Sequence, residues 1–164
     1  MTKILSLVNQ KGGVGKTTSS VNIAVSMAAA EIRTLLIDFD PQANATTGIS
    51  NLIKKSNHTI YDVLMRGTDI NKALISTQFS HLDVVISEND LVGAEIELVN
   101  AIAREYQLKS LLKKLKRKYE YIIIDCPPSL GLLTINALAA SNAILIPIQC
   151  EYYALEGLGQ LLNT

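Results

Sequence analysis

The segment KGGVGKTT, Lys11–Thr18, constrains this 164-residue chain more than any other. It follows the apolar run Ile4–Val8 and precedes residues 17–30, where Val21, Ala24, Val25 and Ala28 recur at helical spacing. Gly12, Gly13 and Gly15 let the backbone turn tightly and approach an anion where side chains would block it. A strand, a glycine-rich turn and a helix N-terminus in that order form a concave nest of N–H groups for phosphate oxygens. In this reading Gly12, Gly13, Val14, Gly15, Lys16, Thr17 and Thr18 form the cradle. Lys16 reaches the β- and γ-phosphates, and the Thr17 hydroxyl ligates Mg²⁺.

The rest of the chain predicts an α/β, doubly wound, mostly parallel sheet with helices on both faces. Thr34–Ile37, Tyr121–Ile124 and Ala143–Ile148 are, like Ile4–Val8, rich in Ile, Leu and Val without polar alternation, as strands buried on both faces are. Leu82–Ser87 is a fifth, weaker strand. Helical spacing recurs at Leu108, Leu111, Leu112 and Leu115, and again at Leu132, Ile135, Leu138 and Ala139. A short helix is expected around Tyr61–Arg66, inside the weakly patterned stretch 50–81. Strands alternating with helices give the doubly wound class. Residues 1–164 read as a single domain. A sheet ending at 143–149, with a helix just beginning after it, predicts the front part of a longer one.

Composition narrows the partners. The 15 basic and 15 acidic side chains cancel, so no global field draws the chain to nucleic acid or an anionic membrane. Cys126 and Cys150 are too few for a disulfide framework and fit a reducing, intracellular setting. No apolar run approaches bilayer length, and residues 1–8 carry no signal-peptide pattern, which predicts a cytoplasmic protein without a membrane partner. His58 and His81 stand alone, with no ligand spacing around them. The run Lys109, Lys113, Lys114, Lys116, Arg117 and Lys118 reads as the solvated face of a helix, its cations at the C-terminal end of the macrodipole, rather than as a phosphate-backbone patch.

Two acidic segments complete the pattern. LLIDFDPQANATTG, Leu35–Gly48, runs off the second strand with Asp38 and Asp40 two residues apart. In open α/β sheets ligands bind beyond the carboxyl ends of strands, where these acids fall. YIIIDCPPSLG, Tyr121–Gly131, is an apolar run ending in Asp125, placed to hold Mg²⁺ through a water. Pro127-Pro128 stiffens the turn that follows.

The loop departs from the ordinary G-x-x-x-x-G-K-[ST] form, because Gln10 stands at the first glycine position and Lys11 precedes two glycines. In this it resembles the deviant phosphate loop of the ParA/MinD ATPases, a P-loop NTPase-like fold. DPQANATTG resembles the switch I segment of ParA proteins, DCPPSLG their D-x-P-P switch II, and EYYALEG a stretch after the next strand. The resemblance implies ATP and Mg²⁺ as cofactors. It implies that Lys11 contacts phosphates across a sandwich homodimer, that Asp40 orients the attacking water, and that Asp38 lies near the magnesium shell. Lys11, Lys16 and Asp40 are then the catalytic candidates, and Thr17, Asp40 and Asp125 stand on the metal side. It further implies chromosome or plasmid partitioning, ATP-dependent dimerisation, non-specific DNA binding, a ParB-type centromere-binding partner and nucleoid association. The loop starts close to the N-terminus, as in the short Soj-like branch.

Other readings keep the same site. A MinD-like membrane-cycling regulator calls for a C-terminal amphipathic helix, which this sequence lacks. An iron–sulfur reductase calls for dimer-bridging cysteines, and Cys126 and Cys150 are poorly placed for that. A nucleotide-binding module without useful turnover is the non-enzymatic alternative. The one Asn-Lys pair, Asn71-Lys72, is followed by Ala73 and Leu74 rather than completing N-K-x-D, which favours adenine over guanine.

Overall fold

The computed structural model describes residues 2–54 and 56–149. Among these residues six strands form one sheet: β1 (Lys3–Leu7), β2 (Thr34–Asp38), β3 (Ile75–Ser76), β4 (Leu82–Val85), β5 (Tyr121–Asp125) and β6 (Ala143–Leu145), in the order β3-β4-β2-β5-β1-β6. All neighbours pair in parallel except β3 with β4. The central strands are the uninterrupted apolar runs of the sequence, and β2 is buried along its whole length.

Among the described residues seven α-helices pack on this sheet: α1 (Lys16–Ala29), α2 (Asn44–Gly48), α3 (Ile60–Met65), α4 (Ile70–Ala73), α5 (Val92–Glu97), α6 (Gln107–Leu112) and α7 (Leu132–Ala140). Alternation along the strands divides the core in two. Leu36, Ile123 and Leu7 pack with Ala24 and Ala28 of α1 on one face. Leu35, Ile37, Ile122 and Ile124 pack on the other, with Val63 of α3, Ala94 of α5, Leu108 of α6 and Leu133 of α7. Helices thus cover both faces of a P-loop NTPase-like, doubly wound sheet.

Several elements differ in extent from their sequence patterns. The α6 helix ends at Leu112, because Lys114 N and Leu115 N bond to carbonyls three residues back and tighten the last turn. Leu115 still packs against the core from outside the helix. The β6 strand stops at Leu145, two residues before Pro147, which has no N–H for a ladder. Among the described residues it is the edge strand beside β1, and Ile144 is 44% exposed. Two-residue β3 carries too little pattern to stand out in sequence. The EYYALEG stretch, Cys150 and the helix expected after residue 149 lie outside the described residues.

Register fixes the geometry of one sheet edge. Asp125 stands level with Leu7 on one side and Asp38 on the other. The loop after β1 therefore leaves the sheet beside the carboxyl end of β5, with that of β2 next in line, where the acids stand.

Candidate functional site

The loop takes the shape its glycines permit. Gly13 and Gly15 have φ of 76° and 89°, left-handed conformations that a side chain makes costly. Gly15 is the N-cap of α1, and it offers no side-chain cap. The first turn of α1 also contains no acid, so its positive end is not neutralised from within the helix.

One face of α1 carries the chemistry. The buried positions are Lys16, Ser20, Ala24 and Ala28, an i, i+4 series. Lys16 is only 6% exposed, and its amine donates to the Lys11 carbonyl at 3.3 Å. Burial pushes this amine below the usual lysine range, while the carboxylates of Asp125 and Asp40 act against that shift. An anion placed in the loop would offset the same desolvation.

Asp125 is fully buried at the end of β5. Its Oδ1 accepts from the Ser20 hydroxyl at 2.7 Å, and its Oδ2 is buried without a hydrogen-bond partner. Burial pushes this carboxyl above the carboxylate range, and the hydroxyls of Ser20 and Thr17 pull it back. An orphaned carboxylate oxygen beside a threonine hydroxyl is a donor set suited to a hard cation. Among the described residues no group of three or more His, Cys, Asp or Glu converges on a metal position.

Asp38 is spent on holding the next segment. Its Oδ2 accepts from the backbone N–H and the hydroxyl of Thr46, both at 2.7 Å, and its Oδ1 from Asp40 N–H at 3.2 Å. Thr46 Oγ1 in turn accepts from Ser87 N–H at 3.0 Å. Burial raises the Asp38 carboxyl to about 6, against the lowering effect of these donors. The latch spans a turn in which Ala43 adopts a left-handed φ of 51°, a conformation that costs a non-glycine residue about 1 kcal/mol. Asp40 lies inside this turn, 5% exposed, with Oδ1 accepting from Gln42 N–H at 2.9 Å.

These groups meet around a cleft of about 410 Å³. Gly12, Gly13, Gly15, Lys16, Thr17, Thr18 and Asp40 line it, together with Gln42, Asn44 and Pro128. Asp125 lies buried close enough to bear on the Lys16 amine. Val14 is buried, and Lys11 is exposed with its backbone N–H donating to Asn9 Oδ1 at 2.9 Å. Cys126 is buried and its thiol is pushed far up by desolvation, so it behaves as a small packing residue.

Some contributors escape sequence reasoning. Ser20 is recoverable in principle, four residues after Lys16 on the same helical face. Glu95 is not. Its carboxylate accepts from Leu132 N–H at 2.7 Å and Leu133 N–H at 3.3 Å, capping α7 directly after the Asp125–Gly131 turn. Gln149 Nε2 donates to the Gly13 carbonyl at 3.1 Å, and Asn9 Nδ2 to the Pro147 carbonyl at 2.7 Å. The segment after β6 thus braces the loop.

A family model described as AAA domain matches residues 2–164. The chain is 56% identical over 164 residues to the chromosome partitioning protein ParA of Myxococcus xanthus, covering 99% of this chain and 57% of that protein. It is 54% identical to the sporulation initiation inhibitor protein Soj of Bacillus subtilis, covering 100% of this chain and 65% of that protein. A crystal structure of cobyrinic acid a,c-diamide synthase from Mycobacterium smegmatis, with bound ATP analog and magnesium, superposes with a TM-score of 0.88 at 39% identity. That match covers 99% of this chain and 66% of the other. The chain spans between 57% and 65% of the two curated relatives. Matched to the family model from residue 2 to residue 164 and more than half identical to ParA and Soj proteins, the chain belongs to the AAA domain family as a ParA/Soj-like member.

Proposed function

We propose that this chain carries the Mg-ATP site of a ParA/Soj-type ATPase acting in chromosome or plasmid partitioning. The observation that supports it is an uncapped helix N-terminus and the buried Lys16 amine on one cleft, with the orphaned Asp125 oxygen buried close behind Lys16. The N–H groups of the loop and of α1 bind the phosphates. Lys16 neutralises charge on the β- and γ-phosphates, and its desolvation is relieved when it does so. Thr17 and Asp125 would hold Mg²⁺, Asp125 through water. The ion, when bound, draws charge off the phosphoryl oxygens. Asp40, held by Gln42 N–H and by the Asp38–Thr46 latch, orients the attacking water.

Beyond the single chain, Lys11 reaches the phosphates of a second copy, so that ATP drives homodimerisation. The dimer binds DNA without sequence preference, and a ParB-type partner stimulates hydrolysis. The protein works in the cytoplasm on the nucleoid. Among the described residues no helix is long and apolar enough to cross a membrane.

Replacing Asp40 tests the assignment. A residue that positions water contributes to the chemical step and little to ground-state binding. Asp40→Ala is expected to bind Mg-ATP within about threefold of the parent and to lose about a hundredfold or more in phosphate release, the lower end of the range for losing one general-base contribution. Size-exclusion chromatography should then find the ATP-loaded mutant as a dimer. Normal turnover, or outright loss of binding, contradicts the role.

A further inference from the structure

At the opposite end of the strands from the nucleotide cleft lies a second cavity, of about 330 Å³. It opens beside the first residues of β1 and β5, between the end of α6 and the end of α7. Ile4, Leu112, Leu115, Ile122 and Ala140 make its floor and walls apolar. Lys109, Lys113 and Lys118 line it as well, all three exposed, and among the described residues no acidic side chain lines it. Arg117 is already paired with Asp83. Lys109 and Lys113 are one helical turn apart, so their side chains leave α6 on the same side. The basic run of the sequence is therefore more than a solvated helix face: three of its members surround an apolar hollow.

We propose that this cavity binds a small amphiphilic anion, an apolar body carrying one carboxylate or sulfonate. Its volume lies at the small end of ligand pockets and accommodates about a dozen non-hydrogen atoms. The apolar walls take up the body of the ligand, and the lysines receive its charge with no neighbouring carboxylate lining the cavity to compete for them. Compact, strongly hydrated anions such as phosphate fit poorly, because they call for converging N–H donors rather than aliphatic walls. A duplex backbone is convex and wide, so it would touch the lysines and leave the hollow unfilled. The occupant is thus a free small molecule. This site stands independently of the nucleotide reading.

Naphthoate is a suitable probe, with an aromatic body and a single carboxylate. In an amide-resolved NMR titration of the full chain, it should saturate shifts at Leu115, Ile122 and Ala140 and leave Gly12–Thr18 unmoved, with or without Mg-ATP. Lys109→Glu/Lys113→Glu alters two exposed positions and should fold normally while weakening the probe about tenfold or more. Neutral naphthalenemethanol should bind the parent more weakly by a similar factor. The proposal is overturned if the shifts appear at Gly12–Thr18, if charge reversal leaves the affinity unchanged, if inorganic phosphate reproduces the shifts, or if a duplex oligonucleotide displaces the probe.

Discussion

Lys16→Ala is expected to lower the affinity for a fluorescent ATP analogue about a hundredfold or more while the protein stays folded. Lys16 is buried at the mouth of α1 with its amine turned into the loop. A hydrogen bond from a charged donor contributes about 1.5–3 kcal/mol, and Lys16 is placed to make more than one to adjoining phosphates. The same substitution removes a cation whose burial cost outweighs its attraction to Asp125 and Asp40. Mutant stability should therefore fall little, which separates loss of binding from loss of fold. Circular dichroism and the nucleotide titration, run on the same sample, check both. Unchanged affinity in a folded mutant contradicts the phosphate-loop assignment.

Lys11→Ala is expected to act differently, because Lys11 is exposed at the loop rim and does not line the cleft of its own chain. ATP binding through Lys16, Thr17 and the glycine backbone should persist within a few-fold. ATP-dependent dimerisation should be lost, and hydrolysis with it. A cation supplied in trans to a transferring phosphoryl group accounts for roughly a thousandfold or more in rate, so a loss below about tenfold argues against the role. Lys11→Arg should restore little, since a planar guanidinium does not replace a flexible point charge in a tight subunit junction. Mixing Lys11→Ala with Asp40→Ala protein discriminates further. A mixed dimer contains one site with its own Asp40 and the partner's lysine, so activity should partly recover if the lysine acts across the interface. No recovery, together with an active Lys11→Ala monomer, contradicts it.

How much was legible in the sequence depended on how local each feature is. The loop, its strand and its helix are contiguous, so spacing alone placed Lys11–Thr18 after β1 and running into the first turn of α1. The central strands were legible because burial on both faces leaves uninterrupted apolar runs, as in Leu35–Ile37 and Ile122–Ile124. Strand β3 was not, because it is two residues long and is fixed by pairing with β4 and by the Ser76–Asp83 hydrogen bond at 2.7 Å. Glu95 was invisible for the same reason, since it caps a helix that begins 37 positions later. Asp38 and Asp40 look equivalent as a pair of acids. Only the fold separates them, giving both oxygens of Asp38 to Thr46 and Asp40 while Asp40 faces the cleft.

The central claim is that the cleft between the loop and Asp125 is a Mg-ATP site, and its most direct test is a titration of the unmodified chain with the fluorescent ATP analogue. The titration is run with Mg²⁺ and again with the metal chelated. The account predicts saturable binding that unlabelled ATP competes away. Chelation should weaken it about tenfold or more, because Thr17 and the unpartnered Asp125 oxygen lose the ion that links them to the phosphates. Equal affinity with and without Mg²⁺, or no saturable binding at all, contradicts the account.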